Sequence, residues 1–342
     1  MERRSFIKTA AAGGIGLRFM GKTLPADELM YSQTGRIGII GLDTSHSVAF
    51  TKALNDPGAG ADFGGFRIVA AYPKGSNDIK SSVDRIPGYI EEVKKLGVTI
   101  VNSIEELLTL VDAVLLETND GRIHLEQAVP VLKAGKRLFI DKPIAASLID
   151  AVAIFETAKH YNVPVFSSSS LRYLPAVKEI AAGSVGKVLG ADTFSPATIE
   201  KTHPDLFWYG IHGVEALFSV MGTGCKSVIR VFTGNTDLVA GTWDNDRIGT
   251  FRGIRSGKGD YGGTVFGEKD IVSLGKYAGY NPLLIQIIKF FQSGIPPVNP
   301  EETIEIFAFM TAAEISKKKG GVSVSLEKVL QKATKEAAKI KF

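Results

Sequence analysis

Short apolar runs alternate with amphipathic stretches through the first half of the chain. Arg36–Gly41, Phe66–Tyr72, Val111–Leu116, Leu138–Ile140 and Val163–Phe166 are too short for helices and read as buried strands. Between them, Ser47–Leu54, Tyr89–Leu96, Ile123–Lys133 and Leu148–His160 carry a helical period, and Val98–Val101 reads as one more short strand. Ser103 with Glu106 makes a capping box that opens a further helix. Strands alternating with helices predict a parallel sheet with right-handed crossovers. After Tyr173 the pattern changes. Lys187–Phe194, Ser227–Thr233, Gly241–Trp243, Arg247–Ile254 and Gly262–Phe266 read as strands without helices between them, which predicts a mostly antiparallel sheet. A helix at about Phe207–Met221 interrupts it, and Asn281–Gln292, Glu301–Lys318 and Leu326–Ala338 read as closing helices. The fold class is therefore α/β in the first part and α+β in the second, with the change near Leu171.

Composition narrows the function classes. The 342 residues are 44% hydrophobic with a formal net charge of +4 and no long run of one sign. No basic patch with interleaved aromatics is present, so a nucleic-acid partner is not expected. The single cysteine, Cys225, excludes an internal disulfide and a cysteine metal cluster. The first residues differ from the rest. Arg3-Arg4-Ser5-Phe6-Ile7-Lys8 precedes an Ala/Gly-rich stretch, Thr9–Leu17, too short to span a bilayer. That combination resembles a twin-arginine export signal. The expected organisation is a leader over 1–30, a first domain over 31–170 and a second over 171–342. The expected location is periplasmic or otherwise exported, with no transmembrane anchor; if the leader is not a signal, it is cytoplasmic.

A dinucleotide-binding strand–turn–helix ordinarily carries three glycines, G-x-G-x-x-G. Here the turn is Gly41-Leu42-Asp43-Thr44-Ser45-His46, with only the first glycine. Asp43 stands where the backbone approaches phosphate most closely. A carboxylate about 4 Å from a phosphate charge costs about 4 kcal/mol at an effective dielectric of about 20. The expectation is that Asp43 turns back to cap the following helix, leaving Thr44, Ser45 and backbone N–H groups for phosphate. The alternative is a loop remodelled for another purpose. At the end of the second strand, Lys74 and Ser76 replace the usual ribose-binding acid and could accept a 2′-phosphate.

Further along come Glu117-Thr118-Asn119, His124, Ala134-Gly135-Lys136, Asp141-Lys142-Pro143 and Leu171-Arg172-Tyr173. This order resembles the Gfo/Idh/MocA oxidoreductases, from about Arg36 to the C-terminus. The resemblance implies an N-terminal Rossmann dinucleotide-binding domain and a C-terminal substrate and oligomerisation domain. It implies NAD or NADP as cofactor, a sugar or sugar derivative as substrate, and hydride transfer between them. A homo-oligomer is expected. Carried onto this chain, Gly41, Asp43, Thr44, Ser45, His46, Thr118, Asn119, His124, Asp141, Lys142 and Arg172 fall at cofactor positions.

Lys142 matches the lysine of the family's Glu-Lys-Pro, and Asp141 its acid, one methylene shorter. A lysine at a cleft edge can exchange a proton with a substrate hydroxyl. In Trp208-Tyr209-Gly210-Ile211-His212, His212 matches the family histidine, and Trp208 stands where an aspartate is usual. An indole there can stack on a sugar face. Glu215 follows on the same helical side and is expected to orient the His212 ring. Lys142 and His212 are the expected catalytic pair. His203, Trp208, Glu215 and Tyr280 are expected to face substrate, and no metal site is expected. Two alternatives stay open: a glycosidase that oxidises its substrate transiently with bound NAD and then eliminates, and a non-catalytic ligand-binding protein on the same fold.

Overall fold

Leu116 on one strand and Ile140 on the next stand side by side in a parallel ladder, and that register sets up everything at the sheet's carboxyl edge. The computed structural model describes residues 35–340. The paired arginines Arg3 and Arg4 and the 1–30 leader lie outside the described residues.

The first sheet is built from β1 (Arg36–Ile40), β2 (Arg67–Tyr72), β3 (Thr99–Ile100), β4 (Ala113–Leu116), β5 (Arg137–Asp141) and β6 (Val165–Ser168). All neighbouring pairs are parallel, in the order β3-β2-β1-β4-β5-β6. The chain runs through α1 (Ser45–Asn55), α2 (Lys80–Val83), α3 (Ile86–Lys95), α4 (Ile104–Leu110), α5 (His124–Lys133) and α6 (Leu148–His160) between them. Strands β1 and β4 are adjacent although they are not consecutive, so their loops part and leave a crevice, the usual ligand position in this topology. Helices cover both faces, which explains why Ala113–Leu116 is apolar and fully buried. Ser103 and Ser147 cap α4 and α6 by accepting from Glu106 N and Asp150 N.

The remaining elements are α7 (Pro175–Ala181), β7 (Val188–Pro196), α8 (Ile211–Met221), β8 (Cys225–Phe232), β9 (Thr236–Trp243), β10 (Ile248–Ile254), β11 (Gly262–Gly267), β12 (Ile271–Ser273), α9 (Asn281–Ser293), α10 (Pro300–Lys318), β13 (Val324–Ser325) and α11 (Leu326–Ala337). The second sheet has the order β12-β11-β7-β10-β9-β8-β13. Only β7 with β10 is parallel; the other pairs are antiparallel. Helix α9 returns to the first sheet, where Leu283, Ile287 and Phe290 join Ile37, Phe139 and Phe166 in one apolar cluster.

The helix expected over 207–221 differs in its first turn. Leu206–Gly210 is a wide π turn, and regular α-helix begins at Ile211. Such turns carry one extra residue and are frequent at functional sites. Its entrance is pinned by Arg230, fully buried on β8, which donates to Asp205 at 2.9 Å, Asp237 at 2.9 Å and Glu314 at 2.6 Å. A buried guanidinium is tolerable only with such partners, and one of them is the residue just before the π turn. Among the described residues no helix is long and apolar enough to cross a membrane.

Candidate active site

The turn after β1 folds inward. Gly41 N donates to Tyr72 O at 2.8 Å and Leu42 N to Pro73 O at 3.2 Å. Gly41 has φ 90°, and a Cβ there would lie 2.4 Å from Thr118 Oγ1. Only glycine fits such a close approach in that conformation.

Asp43 does not cap α1. Its carboxylate is fully buried and accepts from Asn119 N at 2.9 Å and Ser76 N at 3.2 Å, tying together the ends of β1, β2 and β4. Burial raises its pKa, and the two backbone donors oppose that rise. The cap is Thr44, whose Oγ1 accepts from His46 N. The turn runs one residue further than expected before helical dihedrals begin, with Thr44 still extended. The repulsion expected between Asp43 and a phosphate is thereby reduced: the charge faces two N–H groups inside the protein. Ser76 likewise departs from the expected 2′-phosphate role. Its hydroxyl meets Asp78 Oδ1 and Ile79 N, so it is engaged within its own turn.

A cavity of about 220 Å³ opens at the carboxyl edge between the two sheets. Thr44, Ser45 and His46 reach it from the start of α1, Asn119 and Lys142 from the ends of β4 and β5, and Trp208, Tyr209 and His212 from the π turn and α8. Tyr280 and three residues without sequence assignment, Arg85, Tyr261 and Tyr277, complete much of the wall. None of its lining residues is acidic. The Lys142 ammonium makes no ion pair among the described residues. Tyr209 and Tyr261 hydroxyls meet at 3.3 Å, and the Tyr277 hydroxyl accepts from Ser170 Oγ at 3.2 Å. Burial raises the pKa of both Tyr261 and Tyr277, so they stay neutral.

Several expected site residues lie behind this wall. Glu215 does not orient His212. Its carboxylate accepts from Ser169 N at 3.2 Å and Arg172 Nε at 2.8 Å, and Ser169 Oγ meets His212 Nδ1 at 2.6 Å. Arg172 is held by Glu215 and Glu302 and does not line the cavity. Leu171 N also donates to Ser169 Oγ at 3.1 Å, so this hydroxyl is held between the Leu171 amide and the His212 ring. Burial, with Lys142 beside it, drives the His212 pKa well below the usual value and keeps the ring neutral. His124 lies between Thr118 O and Ile144 O and clasps backbone. The Thr118 side chain is fully buried under Gly41.

Asp141 points beneath the cavity floor instead of into it, 2.9 Å from His46 Nδ1. Burial pushes its pKa up, but the neighbouring His46 and Lys142 prevail and hold it near 2. Beside it lies Glu117, fully buried, its pKa raised far above normal by burial and by Asp141. Glu117 had no assigned role from sequence; the available signal was a carboxylate directly following a wholly apolar strand.

His203 faces the Gly121 turn and not the cavity. Nε2 accepts from Gly121 N at 3.2 Å and Nδ1 meets Thr202 Oγ1 at 2.9 Å, which fixes a neutral ring. Its edge rests near Trp208, with ring centroids 5.0 Å apart. Burial lowers its pKa to about 4. The unfolded chain therefore binds a proton between the ordinary histidine pKa and about 4 that the folded chain refuses, and stability falls as pH falls through that window. His203→Gln keeps an acceptor for Gly121 N. Chemical denaturation at about pH 7.5 and about pH 5 should show the wild type losing up to about 2 kcal/mol more than the variant; equal losses would refute a neutral buried His203.

Residues 35–169 match the family model described as "Oxidoreductase family, NAD-binding Rossmann fold". A 1,5-anhydro-D-fructose reductase of Ensifer adhaerens is 33% identical over 28% of this chain and 30% of its own length. An uncharacterised oxidoreductase of Streptococcus pneumoniae is 26% identical over 42% of this chain and 43% of its own. The chain thus spans less than half the length of these curated relatives. Among solved structures, scyllo-inositol dehydrogenase from Lactobacillus casei, crystallised with NAD(H) and scyllo-inositol, superposes with a TM-score of 0.68 at 16% identity, covering 86% of this chain and all of that one. That likeness extends the shared fold through the second sheet. Residues 35–169 are thus similar to the NAD-binding Rossmann domain of the Gfo/Idh/MocA oxidoreductases.

Proposed function

We propose that this protein is an NAD(P)-dependent oxidoreductase acting on a sugar or sugar derivative. The observation that carries the reading is the convergence of Lys142, Asn119 and His212 on one cavity beside the start of α1. The residues present fit a dinucleotide. Free N–H groups of the α1 first turn, the Thr44 and Ser45 side chains and Arg85 suit a pyrophosphate. A groove lined by Tyr72, Lys74, Asn77 and Gln127 offers room for the adenosine end. The nicotinamide, when bound, supplies the hydride chemistry.

The chain's own residues supply the rest. Lys142 exchanges the substrate hydroxyl proton at Nζ. Neutral His212 hydrogen-bonds a substrate hydroxyl through Nε2, and Trp208 with the tyrosines gives flat surfaces for a sugar ring. Two relatives act, by name, on polyhydroxylated rings, scyllo-inositol and 1,5-anhydro-D-fructose, which supports the substrate class. The boundary between nucleotide and substrate domains falls near residue 170 in this reading.

The outward face of the second sheet carries Ile229, Val231, Ile248 and Ile271 exposed, which supports a homo-oligomer. Sedimentation equilibrium should read a dimer or larger; a monomer at micromolar concentration would remove this part. Export follows from Arg3-Arg4. Replacing both with lysine should leave the protein in the cytoplasm, and unchanged periplasmic yield would refute it.

Activity is to be tested on free sugars and glycosides, following nicotinamide absorbance and aglycone release, after mass spectrometry of any co-purifying nucleotide. Lys142→Met should lower kcat by about 10² to 10⁴ with nucleotide binding retained. His212→Ala should mainly raise KM. Full activity in both variants would show that the chemistry lies elsewhere. Aglycone release without net absorbance change would favour the glycosidase, and a silent panel with no bound nucleotide would favour a binding protein.

A further inference from the structure

Beneath the cavity floor three side chains from three successive segments meet. Glu117 and Asp141 directly follow the paired residues Leu116 and Ile140, so their carboxylates stand side by side at the sheet edge. His46, in the first turn of α1, turns its ring toward both. His46 Nδ1 lies 2.9 Å from Asp141 Oδ2 and 4.0 Å from Glu117 Oε2. One ligand atom from each residue falls within 4.8 Å of the other two. The side chains are 6%, 0% and 1% exposed for His46, Glu117 and Asp141.

What sets this cluster apart is that its polar atoms are unsatisfied. Among the described residues, both Glu117 oxygens, both Asp141 oxygens and His46 Nδ1 lack a hydrogen-bond partner; the 2.9 Å approach is not aligned as one. Buried polar atoms nearly always find partners, and a set of five that do not needs a reason. Two adjacent buried carboxylates without donors would be costly as anions. The ring orientation is fixed from outside, by Phe50 at 5.5 Å and Tyr280 at 4.4 Å between centroids.

We propose that His46, Glu117 and Asp141 bind one divalent first-row cation. Metal–ligand bonds of about 2.0–2.2 Å put the donor atoms of a tetrahedral set about 3.4 Å apart, within the range the three residues span. One imidazole nitrogen and two carboxylates suit zinc, manganese, iron(II) or cobalt(II), and the absence of sulfur disfavours copper(I). Two carboxylate charges and a neutral imidazole are balanced by a dication. Three protein ligands leave a position for water or a substrate oxygen, and His46 borders the cavity from which either would come. Two other charged groups face the cluster. Lys142 opposes a cation, while buried Asp43 favours one.

The inference stands apart from nucleotide binding and is tested without it. The purified full chain is dialysed against chelator, then titrated with cobalt(II) alone and followed by visible absorbance, with metal content measured by mass spectrometry. About one equivalent per chain and a saturable ligand-field band are expected. Glu117→Gln and Asp141→Asn should each weaken binding by about 100-fold or more, and His160→Gln, on the surface, should not. Circular dichroism checks that the variants fold. No saturable band in the wild type overturns the proposal whatever the variants do. So does a band that a folded Glu117→Gln variant leaves unchanged, since the metal would then sit elsewhere.

Discussion

One buried carboxylate organises the ligand edge of this protein. Asp43 accepts from Asn119 N and Ser76 N, so the turns after β1, β4 and β2 are fixed relative to one another by a single side chain. A G-x-G-x-x-G turn leaves this surface bare for phosphate. Here the carboxylate takes the backbone donors, and its neighbours move accordingly. Gly75 has no room for a side chain, because a Cβ there would lie 2.2 Å from Asp43 Oδ2. Thr44 becomes the cap in place of Asp43, and His46 is delivered to the level of Glu117 and Asp141.

From that constraint follows a division between two layers. The upper layer, the cavity, is aromatic and carries Lys142 and Arg85 with no acid in its lining. The lower layer holds buried acids and His46, which reaches both. Trp208 lines the cavity, while the short side chain of Asp141 stays below it beside His46. The π turn that presents Trp208 and Tyr209 is anchored through Asp205 to fully buried Arg230, so the second sheet's internal ion network sets where the aromatic wall stands.

The helical and strand pattern was legible in the sequence because burial on both faces forces apolar runs and caps mark the helices that follow. The change of texture after Tyr173 likewise marked the second sheet. Lys142, His212, Asn119, Trp208 and Tyr280, which line the cavity, are conspicuous in the sequence because charged or aromatic residues ending apolar strands, or matching a family order, stand out locally. Glu117 was not found, since an acid after a strand looks the same in sequence whether it meets solvent or lies fully buried.

The sequence by itself determined the order of strands and helices along the chain and the single glycine of the first turn, because these depend on local period and residue type. Only the tertiary structure decided which way each polar side chain turns at that edge. Asp43 turned toward two amides instead of α1, Glu215 toward Arg172 instead of His212, His203 toward Gly121 instead of the cavity. The reason is physical. A buried polar group goes where a partner removes its desolvation penalty, and those partners come from segments far apart in the chain.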